Sequence, residues 1–274
     1  MVQPRSARSH GRTLVLFDVD GTLAVPAQKA SGEMLELLAR LRETHATGIV
    51  GAAEYEKQEV QLGGDLVGQF DFVFSENGVH AFRDREQIHC KSMREHLGEE
   101  RWAAFEAGLD AILSEARAET QRLLEVASPG AQLAERGTFL QKRQCTVNVT
   151  PIGRTPGLSK EERAAYDAAD TAAGLRRGIV RKIHEQFGPE TPFKLVASIG
   201  GQIGLDLAPE GWDKTFCLRF VDESEFDTVH FFGDKCEPGG GDYELFRHPR
   251  TVGHAVTSAE DTTEQVRALL AASG

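Results

Sequence analysis

Apolar and polar positions divide the chain into three stretches of different character. Near the start, Leu14–Phe17 is an unbroken apolar run, which predicts a short strand covered on both faces. Ser31 stands where a helix would be capped, and Met34, Leu37, Leu38 and Leu41 follow it at helical spacing. Gly48–Val50 reads as a second strand, residues 54–62 as a second helix, and Phe70–Phe74 as a third strand. Strand, helix, strand, helix, strand implies right-handed crossovers and a parallel sheet.

The middle stretch changes period. Residues 92–125 are amphipathic and helical, with Trp102, Phe105, Leu109, Ile112 and Leu113 on one face; that face suits either an ordinary core or a subunit contact. Thr146–Thr150 alternates strictly, as a half-buried antiparallel strand does. A helical stretch over 159–187 follows, then strands at Leu195–Ser198 and Ile203–Leu207, with Gly200 and Gly201 signalling a hairpin between them. The first pattern then returns: a helix from Asp213, a buried strand at Thr228–Phe232, a short strand over 252–256 and a terminal helix from Ser258. The reading is an α/β chain. A parallel-sheet, Rossmann-like core over residues 1–87 and 211–274 is interrupted by an inserted α+β cap, residues 88–210, that carries an antiparallel sheet.

A net charge of −11 argues against nucleic acid or a membrane surface as partner, because a phosphate backbone would be repelled. An anionic small substrate would need a locally basic pocket. The four cysteines, Cys90, Cys145, Cys217 and Cys236, form no CxxC pair and read as reduced thiols of a cytoplasmic protein. No apolar run reaches the length of a membrane span. The first twelve residues, with Arg5, Arg8 and Arg12 and no acid, read as a basic disordered tail rather than a targeting segment.

Chemistry concentrates at the ends of two buried strands. Asp18-Val19-Asp20-Gly21 follows Leu14–Phe17, and Gly233-Asp234-Lys235 follows Thr228–Phe232, with Gly239–Gly241 and Asp242 just beyond. Ligands of open α/β sheets bind beyond the carboxyl ends of the strands. The two-residue spacing predicts that Asp18 and Asp20 point to one side of an extended chain. Carboxylates that close repel unless a cation or proton lies between them, and a hard cation such as Mg²⁺ takes oxygen ligands. If the two strands are neighbours, Asp234 joins Asp18 and Asp20 around one ion. One carboxylate can then attack phosphorus while the other exchanges a proton. Taken singly, each motif also reads as a turn that ends a strand.

Phe17–Leu23, Gly233-Asp234 and Asp242 together resemble the haloacid-dehalogenase-like phosphotransferases. Ser75–Gly78, Arg136–Phe139, Asn148–Arg154, Ile199–Gln202, Gly211–Lys214 and Pro249–Thr251 narrow the resemblance to the eukaryotic-type phosphomannomutases, over nearly the whole chain. That resemblance implies an isomerase interconverting mannose 6-phosphate and mannose 1-phosphate, the latter destined for GDP-mannose, with hexose 1,6-bisphosphate as activator. It makes Asp18 the aspartyl-phosphate, Asp20 the general acid/base and Lys214 the neutraliser of the transferring group. Mg²⁺ falls to Asp18, the Asp20 carbonyl and Asp234. A peripheral second cation falls to Phe246 and Thr251. Arg143, Arg154 and Arg163 become the grip on the substrate's other phosphate, with Gly204 and Asp206 near the sugar, and a homodimer through the cap is implied.

Several positions depart from the family pattern. Ala27 replaces an arginine, Ala53 a serine whose hydroxyl would meet the phosphoryl group, Gly204 a serine, Gly241 an asparagine, and His248 an aspartate of the second cation site. Histidine is a poor ligand for a hard cation. Losing one transition-state hydrogen bond slows chemistry by roughly a hundredfold. A sugar-phosphate phosphatase on the same core and a weakly active or non-catalytic sugar-phosphate-binding relative therefore stand beside the mutase.

Overall fold

The computed structural model describes residues 12–26 and 28–272. The basic tail up to Gly11, and Ala27, lie outside the described residues. Two compact units divide the chain: residues up to Cys90 together with those from Gly211 onward, and Lys91–Glu210.

The first unit is a seven-stranded sheet. Its strands are β1 (Thr13–Phe17), β2 (Ala46–Val50), β3 (Phe72–Ser75), β4 (His80–Arg83), β5 (Glu86–His89), β10 (Thr228–Gly233) and β11 (Val252–Ala255), in the spatial order β11-β10-β1-β2-β3-β4-β5. The strands from β11 to β3 are parallel, whereas β4 and β5 add an antiparallel edge. The β4–β5 turn carries no Asn-Gly or Asp-Gly signal in the sequence. Its two turn residues, Asp84 and Arg85, both adopt positive φ, a conformation such hairpins require and that glycine or asparagine usually supplies.

Leu14, Val15, Leu16 and Phe17 of β1 are each 0 % exposed, as expected of a strand in the middle of a sheet covered on both faces. Val15 and Phe17 pack with Met34, Leu37, Leu38 and Leu41 of α1 (Gly32–Leu41) and with Val266 of α10 (Ala259–Ala272). Leu14 and Leu16 pack on the other face with Phe72, Phe74, Cys217, Leu218 and Phe231. Ser31 Oγ accepts the Met34 N–H at 3.1 Å and so starts α1 as a cap should. The remaining helices of this unit are α2 (Tyr55–Gln61), α3 (Leu66–Gln69) and α9 (Tyr243–Phe246). Residues Lys214–Phe220, read from sequence as an α-helix, form a 3₁₀ segment started by Asp213, whose carboxylate accepts the Thr215 N–H at 2.8 Å.

The inserted unit has its own core. Strands β6 (Leu140–Lys142), β7 (Val147–Val149), β8 (Leu195–Gly200) and β9 (Gly204–Pro209) form an antiparallel sheet in the order β6-β7-β9-β8. Helices α4 (Met93–Leu97), α5 (Glu99–Glu115), α6 (Arg117–Ala127), α7 (Lys160–Ala173) and α8 (Leu175–Phe187) complete it. Val147, Val149, Leu205 and Leu207 pack with Trp102, Phe105, Leu109, Leu124, Tyr166 and Ile183. The Trp102–Phe105 face of α5 is therefore core. None of the four cysteines forms a disulfide, and no helix among the described residues is long and apolar enough to cross a membrane.

A buried ion cluster ties α7 and α8 to the β8–β9 turn. Arg176 Nε lies 2.7 Å from Asp170 Oδ2, its Nη1 donates to the Gly201 carbonyl at 2.9 Å, and the Asp170 Oδ1 accepts the Arg176 N–H at 2.8 Å. Arg176→Met would strand Asp170 in the core and is expected to cost about 3–5 kcal/mol in urea denaturation. The double variant Arg176→Met with Asp170→Leu should recover a large part of that loss, because no buried charge is left unpaired.

A second feature makes stability sensitive to acid. His230 Nδ1 and His254 Nε2 lie 2.8 Å apart, and the His254 ring stacks on Phe232. Burial, then His254 and His45, push His230 down to about 4. The unfolded chain takes up that proton near pH 6.5, so the folded state loses stability as pH falls from about 6.5 towards 4. The thermal midpoint should fall through that window, and His230→Asn should flatten the fall.

Candidate active site

The register of β1 and β10 builds the site. Phe17 stands opposite Phe232, and the Asp18 N–H donates to the Phe232 carbonyl at 2.9 Å, so both strands end at the same edge. Asp18 and Asp234, far apart in sequence, thereby become neighbours. With Asp242 they offer carboxylate oxygens all within 4.8 Å of one another. Lys214 Nζ reaches into this group, 2.5 Å from Asp18 Oδ1 and 2.5 Å from Asp242 Oδ1.

Two glycines make room for it. At Gly21, φ is +90°, and a Cβ there would lie 2.4 Å from Asp234 Oδ2. A Cβ on Gly233 would lie 2.7 Å from Asp242 Cγ. Asp242 is also held by its backbone neighbours, since its Oδ2 accepts the Lys235 N–H at 2.9 Å. Lys214 is placed from the other side: Asn77 Nδ2 donates to the Trp212 carbonyl at 3.1 Å, two residues before the lysine.

Electrostatics define what this cluster can hold. Three carboxylates and one ammonium leave an excess of negative charge in a buried site. Burial first, with Asp242 adding repulsion and Lys214 opposing both, holds the Asp18 carboxyl up at about 7. Asp234 is raised for the same two reasons, burial and then Asp242. Burial would lower Lys214, but Asp18 and Asp242 outweigh it and keep the ammonium well above its ordinary range. Asp234 Oδ1 is buried without a hydrogen-bond partner, which fits an atom that serves as a cation ligand. All-oxygen ligands with surplus negative charge suit a hard divalent cation.

Asp20 departs from the sequence expectation. Its carboxylate is not part of the cluster; Asp242 is the third acid instead. The chain curls directly after Asp18, with the Gly21 N–H donating to the Ala24 carbonyl at 2.7 Å. The extended geometry assumed for the two-residue spacing therefore does not hold. Asp20 turns towards α2, where Gln61 Nε2 donates to its Oδ1 at 2.8 Å and Lys57 Nζ lies 2.9 Å from its Oδ2.

In the inserted unit a second polar group covers the sheet face opposite the core. Asn148 and Asp206 stand opposite each other on β7 and β9, and Asn148 Nδ2 donates to Asp206 Oδ1 at 2.8 Å. Arg143 Nη1 lies 3.0 Å from the same oxygen, and Arg154 Nη2 donates to Asn148 Oδ1 at 2.6 Å. Gly204 borders the group: a Cβ there would lie 2.9 Å from Asn148 Nδ2. Arg163 is not brought in; it is exposed on α7, with no side-chain partner among the described residues. Asn148 and Asp242 are the site residues to which sequence reasoning assigned no role. Asn148 sits in the strictly alternating strand on the face away from the valines, and Asp242 follows a glycine run, which is ordinary for a loop.

The second cation position holds no comparable group. The Thr251 hydroxyl donates to the Leu245 carbonyl at 2.5 Å and to that of His248 at 3.0 Å, and the His248 ring accepts the Arg250 N–H at 3.2 Å. Phe246 closes α9 beside this turn. Asp18, Asp234 and Asp242 are the one group of acids or imidazoles so gathered among the described residues.

The profile described as eukaryotic phosphomannomutase matches residues 34–272. Phosphomannomutase from Galdieria sulphuraria is 43% identical, aligned over 94% of each chain. That from Schizosaccharomyces pombe is 39% identical over 97% of each. Among solved structures, the C-terminal domain of a Candida albicans trehalose-6-phosphate phosphatase superposes with a TM-score of 0.60 at 11% identity, covering 95% of this chain and 92% of that one. A trehalose-6-phosphate phosphatase related protein gives 0.54 at 15% identity, covering 95% and 98%. At such identities the likeness extends to the fold alone.

Gly21→Ala adds a Cβ where Asp234 lies, in a backbone conformation that costs about 1–2 kcal/mol for an L side chain. Its affinity for a divalent cation, read by calorimetric titration, should fall at least tenfold, with only a modest loss of stability.

Proposed function

Since the chain belongs to the eukaryotic phosphomannomutase family, we propose that it moves a phosphoryl group between the 1- and 6-positions of mannose phosphate, with Asp18 as the covalent carrier. The observation that carries the reading is the buried contact of Asp18 with Lys214 at the edge where Asp234 and Asp242 converge. A carboxylate in that setting has a cation at its side to balance charge on an incoming phosphoryl group.

In the proposed cycle a hexose 1,6-bisphosphate primes the protein. An Asp18 oxygen attacks phosphorus, the bond from phosphorus to the sugar oxygen breaks, and Asp20 supplies the proton that the departing oxygen takes up. A substrate monophosphate then presents its free hydroxyl, Asp20 removes that proton, the hydroxyl oxygen bonds to phosphorus as the Asp18–phosphorus bond breaks, and the bisphosphate so formed turns round before giving its original phosphoryl group to Asp18. Mg²⁺ would be held by the carboxylates of Asp18 and Asp234 and by the Asp20 carbonyl, with Asp242 fixing Lys214. When bound, it draws off charge from the phosphoryl oxygens and lets Asp18 remain ionised at neutral pH.

Arg143 and Arg154 supply guanidinium groups suited to bidentate phosphate binding, which an acidic protein needs for an anionic substrate. Asp206 and Asn148 would meet sugar hydroxyls. Arg163, exposed and unpaired on α7, would join only with substrate present. A homodimer through the inserted unit and a cytoplasmic location complete the proposal.

A coupled assay of mannose 1-phosphate conversion tests it. Turnover should require Mg²⁺ and rise with hexose 1,6-bisphosphate, with little inorganic phosphate released, and Asp18→Asn should reduce the rate by at least a thousandfold. Phosphate release matching substrate loss would instead identify a phosphatase. Binding without turnover would identify a non-catalytic relative.

A further inference from the structure

Neighbouring positions on α2 present two donors to one carboxylate. Lys57 and Gln61 are four residues apart, so their side chains project from one face of the helix. Each takes one oxygen of Asp20: Lys57 Nζ lies 2.9 Å from Oδ2, and Gln61 Nε2 donates to Oδ1 at 2.8 Å. Nothing about α2 itself needs these contacts. Gln61 is 4 % exposed, yet its Oε1 is buried without a partner, so the amide is sited for what its nitrogen does. Lys57 is half exposed, and an ion pair in that setting adds little to stability. Gln61 is held in turn: its Nε2 also lies 3.4 Å from the Gln28 carbonyl, and its main-chain carbonyl accepts the Ala30 N–H at 2.8 Å.

We propose that Lys57 and Gln61 are positioning residues for the mutase reaction, a two-point clamp that fixes the Asp20 carboxylate for proton exchange with the sugar oxygen. The inference rests on the reading above, in which Asp20 is the acid/base. With both oxygens held, rotation about the side chain's terminal torsion is suppressed. An aspartate free to rotate would spend most of its time misaligned, and misplacement by about 1 Å costs up to a hundredfold in rate.

The test separates proton transfer from attack at phosphorus. With p-nitrophenyl phosphate as donor, Asp18 attacks phosphorus and the phosphorus–oxygen bond breaks. The electron pair leaves on p-nitrophenolate, which needs no proton, so the burst of phenolate that accompanies phosphorylation of Asp18 reports attack alone. Lys57→Met and Gln61→Met are each expected to lower kcat for mannose 1-phosphate by about tenfold, with KM within twofold and burst rate within twofold of the parent. Lys57→Arg, which keeps a donor, should recover at least half of the lost rate. A parallel Asp20→Asn variant keeps the two readings distinguishable. If Asp20→Asn loses mutase turnover and keeps the burst while both methionine variants match the parent, the clamp is wrong and the acid/base stands. If Asp20→Asn retains mutase turnover, the acid/base reading fails and the clamp with it. A burst that falls in step with kcat in the methionine variants would assign Lys57 and Gln61 to general support of the site and overturn the proposal.

Discussion

The pairing of β1 with β10 is the constraint on which the rest depends. One residue of slip in that register would move Asp18 away from Asp234 and exchange the side chains that the two packed faces of a fully buried strand receive. The apolar content of both strands therefore secures the chemistry indirectly. Leu14, Leu16 and Phe231 pack on one face and Val15, Phe17 and Phe232 on the other, and together they hold three like charges closer than those charges would choose. Hydrophobic burial spread over the sheet sustains electrostatic strain at its edge. Lys214 relieves part of that strain, and a divalent cation would relieve the remainder.

The inserted unit solves a different problem with the same periodicity. Alternation along β7 and β9 sends Val147, Val149, Leu205 and Leu207 into a core of helices while Asn148 and Asp206 face away from it. Polar groups on that second face bond to one another: Asp206 accepts from Asn148 and pairs with Arg143, and Asn148 accepts from Arg154. Such a network keeps the guanidinium groups oriented. Arg176 supports the arrangement from beneath by fixing the Gly201 carbonyl in the β8–β9 turn.

The departures from the family pattern acquire physical meaning in this frame. At Gly204 a larger residue would press on the Asn148 amide, so glycine and asparagine are matched to each other. Gly241 faces open space, and nothing in the structure accounts for the asparagine it replaces. The Ala53 carbonyl accepts the Glu76 N–H at 3.0 Å, so the loop after β2 keeps its backbone anchor without the missing hydroxyl. Around His248 the loss is plainer: the ring caps a turn, and among the described residues no cluster of acids gathers there.

How much was legible in advance follows from the range of the interactions involved. The sequence alone determined the strands and helices with strong periodicity, the interruption of an α/β core by an α+β unit, and Asp18 and Asp234 as partners, because each depends on local pattern or on a motif that ends a buried strand. The β4–β5 edge was not legible, since Asp84 and Arg85 carry no turn signature and their positive φ is imposed by the sheet. Nor was the direction of Asp20, which a curl at Gly21 turns towards α2, or the entry of Asp242 in its place. Those outcomes rest on contacts between residues distant in the chain, and only the packed structure decides which of several nearby carboxylates faces inward.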